Sequence, residues 1–153
     1  MAAPAISHLI CTSVLVALIL LLPFFYGIVA DNIELNMIQR ELQEISDYVS
    51  NTLANLYFLV NMTDYSSTSL EKELIYLPST VENSIYTVTI ESVQGNVSKI
   101  TSALKFNRSV AASAWVTPGL KPASETSVEG GGRKVVAGCS RNATGAYILI
   151  KYG

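Results

Sequence analysis

Between Ile6 and Val29 the chain carries no charged side chain, and Val14-Leu15-Val16-Ala17-Leu18-Ile19-Leu20-Leu21-Leu22 is apolar throughout. As a helix this stretch is about 36 Å long, enough to cross a hydrocarbon core of about 30 Å. A soluble domain would have to bury it on every side, and too little chain follows to do so. The expectation is a membrane-spanning or filament-core helix over residues 1–30. The alternative is a cleaved secretory signal ending at Ile28-Val29-Ala30. The apolar run is longer than the usual core of a signal, and no Lys or Arg precedes it. On either reading the chain after Asp31 is exported.

The pattern then changes without a break. From Asn32 to Asn61 there is neither Pro nor Gly, and Leu35, Ile38, Leu42, Ile45, Val49, Leu53, Leu56 and Val60 recur at spacings of three and four. That period lays them along one stripe of a helix, with Glu41, Glu44 and Asp47 off it. The predicted element is an amphipathic stalk over 31–63 that continues the first helix, the whole being about 84 Å long. The stripe packs either on the protein's own C-terminal domain or on neighbouring helices. A domain of about 85 residues has a radius of gyration of about 12 Å and is expected to shield about half of the stalk. Pro23 lies inside the apolar run and is expected to kink it. Phe24-Phe25-Tyr26 follow, as aromatic residues do at bilayer interfaces.

After Asn61 the period falls to two. Asp64–Ser69 is a polar break, and Leu70–Leu77 is a short apolar run ended by Pro78. Tyr86, Val88 and Ile90 alternate with Thr87 and Thr89, the signature of a half-buried strand. Val97–Phe106, Val110–Val116, Arg133–Cys139 and Ala146–Lys151 are further β-prone runs, with Ile100, Leu104 and Phe106 as expected core. Gln94-Gly95-Asn96, Thr117–Pro122 and Ser140–Gly145 separate them as turns or loops, and Gly130-Gly131-Gly132 bends the chain or loosens it. The expected fold class is α+β: a long N-terminal helix followed by a small antiparallel sandwich over 64–153, with at least five strands and at most seven.

Composition narrows the function. Charged residues are only 14% of the chain, so hydroxyls and amides must supply much of the polar surface. Net charge is −2, but residues 31–91 hold ten acidic and two basic side chains and residues 92–153 two acidic and eight basic. The halves therefore carry −8 and +6 and attract one another, within a subunit or between neighbours. The two cysteines, Cys11 and Cys139, belong to different regions and are expected to be unbridged, small and buried. Four acceptor sequons occur, at Asn61, Asn96, Asn107 and Asn142, which favours an external, glycan-bearing surface. Asn96, Asn107 and Asn142 fall at turns or strand ends and are expected to be exposed.

No catalytic, cofactor-binding or metal-binding site is expected. His8 stands alone at the edge of the apolar run, and a lone His makes neither a metal site nor a catalytic pair. The triple glycine lacks the Lys-Ser/Thr that follows a phosphate-binding loop, and neither a His-Glu-x-x-His nor a Cys-x-x-Cys pattern occurs. Basic residues are not interleaved with aromatics as on a nucleic-acid surface, so nucleic acid is not indicated as a partner.

An apolar N-terminal helix with a proline at its middle, a stalk that continues it and a β-rich remainder form a plan that resembles the type IV pilin family, in particular archaeal pilin-like proteins and archaellum subunits. The resemblance covers Ile6–Asn61 and the β region after it, and it is one of layout. The chain departs from the pilin pattern in having no Lys or Arg before the apolar run and no acidic residue near its start. What the resemblance implies is a structural, non-enzymatic subunit or accessory of an extracellular filament for surface attachment or motility. Such a subunit is held in the membrane before assembly and then forms a homopolymer through bundled N-terminal helices. Ile19, Leu22, Pro23, Leu35, Ile38, Leu42 and Ile45 are the implied helix-assembly positions. The other expectation is a tethered surface β domain acting as a monomeric binding or stator module.

Overall fold

A computed structural model of the protein describes residues 3–63, 67–93, 97–123 and 126–153. Its first element is the helix α1, Ala3–Asn61, with Pro23 inside it. Eight strands follow among the described residues: β1 Thr68–Glu73, β2 Tyr86–Val93, β3 Val97–Leu104, β4 Ala111–Trp115, β5 Leu120–Pro122, β6 Ser127–Glu129, β7 Val135–Asn142 and β8 Gly145–Tyr152. They form two four-stranded sheets, ordered β1-β7-β8-β5 and β4-β3-β2-β6. The pairings are antiparallel except β5 with β8. The fold is therefore α+β with a sandwich-like pair of sheets, as the change of period from 3.6 to two foretells.

The chain divides into two packed units, Met1–Met37 and Ile38–Gly153. In the second unit the helical stripe is part of the β domain's own interior. Ile38, Leu42, Ile45, Val49, Leu53, Leu56 and Val60 are all buried, in one core with Tyr86, Val88 and Ile90 of β2, Ile100 and Leu104 of β3, and Ile148 and Ile150 of β8. The domain thus covers the stripe from Ile38 to Val60, well beyond the expected half. The reason is that the stripe supplies apolar area along its whole length, and burying each Leu, Ile or Val side chain is worth about 1.5–3 kcal/mol. Only Leu35, in the other unit, stays 43% exposed.

Strand burial follows the two-residue period. β3 alternates half-buried and buried along its whole length, and β8 does so until its last residue. Val88 sits opposite Ser102, and Ile90 opposite Ile100. Three strands were not legible in the sequence. The run expected to be apolar from Leu70 opens with Glu71, Lys72 and Glu73, and in β1 only Leu70 is an apolar residue, so no alternation shows. β5 and β6 are three residues each. β5 lies in the segment expected as a loop; its Pro122 is tolerated because β5 is an edge strand, where a missing N–H leaves no ladder bond unmade. The expected turn at Ser140–Gly145 shrinks to Ala143-Thr144, because β7 and β8 pair out to Asn142 opposite Gly145.

Two expectations about single residues fail. Phe106 is not core: it lies beyond the end of β3, in the connection to β4, and is 86% exposed. Cys11 is exposed on the apolar helix, while Cys139 is buried as expected, and both are free. Burial lifts the Cys139 thiol to about 11, which makes it a small apolar filler with little thiolate.

Candidate functional site

In the unit Met1–Met37 the feature of note is an apolar helix with its large side chains in the open. Ile6, Leu9, Ile10, Val14, Leu15, Val16, Leu18, Ile19, Leu20, Leu21, Leu22, Phe24, Phe25, Tyr26, Ile28 and Val29 are all exposed, and so are Ile33, Leu35 and Met37 after Asp31. The helix is long and apolar enough to cross a membrane, which makes it a candidate membrane anchor. Local polar groups are satisfied along it: Thr12 Oγ1 donates to His8 O at 2.5 Å, Ser13 Oγ to Ile10 O and Asn32 Nδ2 to Ile28 O. Back-bonding of this kind removes the cost of a hydroxyl or amide in an apolar medium. Phe24 and Phe25 meet edge to face with centroids 6.4 Å apart.

Of the implied helix-assembly positions, Ile19, Leu22 and Leu35 are exposed, and Pro23 lies within the helix. Ile38, Leu42 and Ile45, at 8%, 0% and 5% exposure, are instead core residues of their own domain. The periodicity that picked them out is the same for both destinations.

In the second unit, polar side chains of α1 do what the sequence did not signal. Gln43 Nε2 donates to Ser113 O, and Ser50 Oγ to Trp115 O at 2.8 Å, both on the edge strand β4. Ser46 Oγ bonds Ser102 Oγ of β3 in the interior. The helix thus ties down main-chain carbonyls of an outer strand, which lowers the risk of that edge pairing with another chain. Buried serines on an otherwise apolar stripe were the available hint.

A groove of about 660 Å³ opens between α1 and the segment after β1, lined by Glu41, Glu44, Ile45, Tyr48, Tyr76, Pro78, Thr80, Glu82 and Asn83. Tyr48 and Tyr76 meet edge to face at 5.8 Å along it. Glu82 and Asn83 take positive φ, 43° and 59°, in a tight turn closed by Val81 N–H to Ser84 O and Ser84 N–H to Val81 O. The acidic stalk residues therefore belong to the rim of a pocket. Elsewhere the opposite charges of the two halves meet inside the subunit: Lys151 Nζ lies 2.8 Å from Glu71 Oε1 and Lys134 Nζ 3.5 Å from Glu73 Oε1. Both pairs are exposed, so each is worth about 0–1 kcal/mol.

Three sequons fall on described residues and all three asparagines are exposed: Asn61 ends α1, Asn107 lies between β3 and β4, and Asn142 ends β7. Asn96 lies outside the described residues. Among the described residues no group of three or more His, Cys, Asp or Glu is placed to hold a metal ion.

The chain matches no protein-family model, and neither a curated protein nor a solved structure is significantly similar to it. Its likeness to pilins is one of architecture in general terms: a long N-terminal apolar helix followed by β-sheets.

Proposed function

We propose that this protein is a structural subunit or accessory of a pilin-like extracellular filament, without catalytic activity, held in the membrane by its N-terminal helix before assembly and joined to copies of itself through that helix afterwards. The observation that carries the reading is the division of α1. Its residues from Ile38 to Val60 complete the core of the β domain, while the apolar residues from Ile6 to Met37 are exposed. An apolar patch of this size in water requires lipid or other apolar helices around it. The assembly surface in this reading is Ile6–Met37, with Ile19, Leu22 and Leu35 in it. Attachment or motility is the role such a filament would serve.

A second reading rests on the burial of Ile38, Leu42 and Ile45 in their own subunit. A domain that keeps its stalk stripe to itself suits a monomeric, membrane-tethered binding or stator module equally well. Negative-stain imaging of the protein purified from its native membrane separates the two. Filaments support the first reading; dispersed particles, in detergent and after detergent removal, replace it with the second.

A further inference from the structure

Two of the described sequons share a local geometry that the third lacks. Asn107 opens a four-residue turn closed by Val110 N–H donating to Asn107 O at 3.0 Å. Within it, Ser109 Oγ donates to Asn107 Oδ1 at 2.5 Å. Asn142 opens the two-residue connection between β7 and β8, facing Gly145, whose φ is 143°. There Thr144 Oγ1 lies 3.5 Å from Asn142 Oδ1 and 3.0 Å from Tyr147 Oη, so it can donate to Asn142 while it accepts from the tyrosine. In both, asparagine occupies the first turn position and the sequon hydroxyl two residues on turns back to its amide oxygen, a local arrangement that asparagine favours in turns.

Asn61 differs on both counts. It is the last residue of α1, and the hydroxyl of its sequon, Thr63 Oγ1, donates to Leu59 O at 2.8 Å in the manner of a helix end. Its own Oδ1 instead accepts from Arg141 Nη1 at 3.1 Å. The hydroxyl that defines the sequon is thus spent on the helix, and the amide is held against the β7–β8 hairpin.

We propose that Asn107 and Asn142 are glycan acceptors and that Asn61 is not. The inference rests on the outward placement of the domain proposed above. In the transfer, the Nδ2 of asparagine attacks the anomeric carbon of a sugar carried on a lipid diphosphate. A carbon–nitrogen bond forms and the carbon–oxygen bond to the diphosphate breaks. The lipid diphosphate leaves with the electron pair, and one amide proton passes to a base on the transferase. A hydroxyl donating to Oδ1 stabilises the charge that gathers on that oxygen as Nδ2 gives up its proton. Asn107 holds that donor within its own turn, over two residues of chain, and Asn142 holds it within the β7–β8 hairpin, where Tyr147 Oη donating to Thr144 Oγ1 leaves the threonine proton for Asn142. At Asn61 the same type of hydroxyl is committed to Leu59 O.

The test is glycopeptide mapping of the protein from its native membrane, alongside protease treatment of intact cells to report where the domain lies. Sugar mass is expected on the Asn107 and Asn142 peptides and none on the Asn61 peptide. Asn107→Gln and Ser109→Ala should each remove the first glycan, Asn142→Gln and Thr144→Ala the second, and Thr63→Ala should leave the mass unchanged apart from the substitution. Sugar on Asn61, or a bare Asn107 or Asn142 in a domain that protease reaches, overturns the inference while the outward placement stands. A bare domain that protease reaches only after lysis overturns both.

Discussion

Ser46 Oγ of α1 and Ser102 Oγ of β3 lie 2.9 Å apart in the interior, both fully buried and 56 positions apart in sequence. The pair joins the helix to the second sheet by a polar contact within an otherwise apolar core. Removing the Ser46 hydroxyl leaves the buried Ser102 Oγ without this partner, which costs about 1–3 kcal/mol, whereas without Ser102 the Ser46 hydroxyl still reaches Ala112 O at 3.4 Å. Ser46→Ala should destabilise the domain by that order and Ser102→Ala by less, while the double variant loses less than the sum. A double-mutant cycle from denaturant unfolding measures the coupling, and strict additivity would count against the pairing.

The division of α1 predicts two classes of helix variant. Leu42→Ala or Leu53→Ala empties a fully buried position and should cost about 2–5 kcal/mol of domain stability. Ile19→Ala or Leu22→Ala should leave that stability unchanged and act instead on membrane retention or assembly. Unfolding curves in detergent, read on near-ultraviolet signals of the β domain, distinguish the classes.

Gly130 donates its N–H to Tyr86 O at 2.8 Å, and a Cβ added there would fall on the Tyr86 ring, well inside contact distance. Gly130→Ala should therefore destabilise by about 1–3 kcal/mol through overpacking. Gly131→Ala meets no neighbour, although its φ of 154° is one that other residues seldom adopt. A larger loss at 130 than at 131 in thermal melts is the expected order.

Tyr86 donates its hydroxyl to Pro78 O at 2.6 Å and its pKa is pushed up to about 12 by burial. A group held protonated in the fold but free to ionise near 10 in the unfolded chain stabilises the fold fully below pH 10. That contribution is lost as pH rises from 10 towards 12. Cys139 acts in the same direction from about 9 to 11. Stability should thus fall on the alkaline side, and Tyr86→Phe together with Cys139→Ala should flatten that fall. Tyr86→Phe should also lower stability at neutral pH by about 0.5–1.5 kcal/mol through the lost hydrogen bond.

Glu41 and Glu44 are exposed on the groove rim beside Tyr48 and Tyr76. Reversal of both to Lys should leave domain stability within about 0.5 kcal/mol, as surface changes usually do. If their charge orients neighbouring subunits, the same variant should weaken or disorder assembly, and high salt should partly reproduce the effect. Filaments of unchanged yield and order at low salt would remove these carboxylates from the assembly contact.

The candidate site was legible in parts. The exposed apolar helix could be read directly, because Ile6–Val29 is free of charged side chains over a length that can cross a membrane. The groove could not, because Glu41, Glu44 and Glu82 come together only through the turn at Val81–Ser84 and its two positive-φ residues. The sequons were legible as motifs, but the difference between Asn61 and Asn107 depends on whether the hydroxyl two positions on meets a helix end or a turn.

Local periodicity by itself determined several elements of this protein: the charge-free run, the stripe from Leu35 to Val60, and the alternation in β2. These depend on a side chain's direction relative to its near neighbours, which spacing reports. Tertiary structure alone decided what each face meets. It turned the stripe inward on its own sheets, left Phe106 exposed beyond the end of β3, and paired Ser46 with Ser102. It also made strands of β1, β5 and β6, which are too short or too polar to announce themselves and exist because a neighbouring strand supplies their hydrogen bonds. Two surfaces far apart in sequence meet because of the shape and apolar area each presents once formed, and no short window of residues contains both.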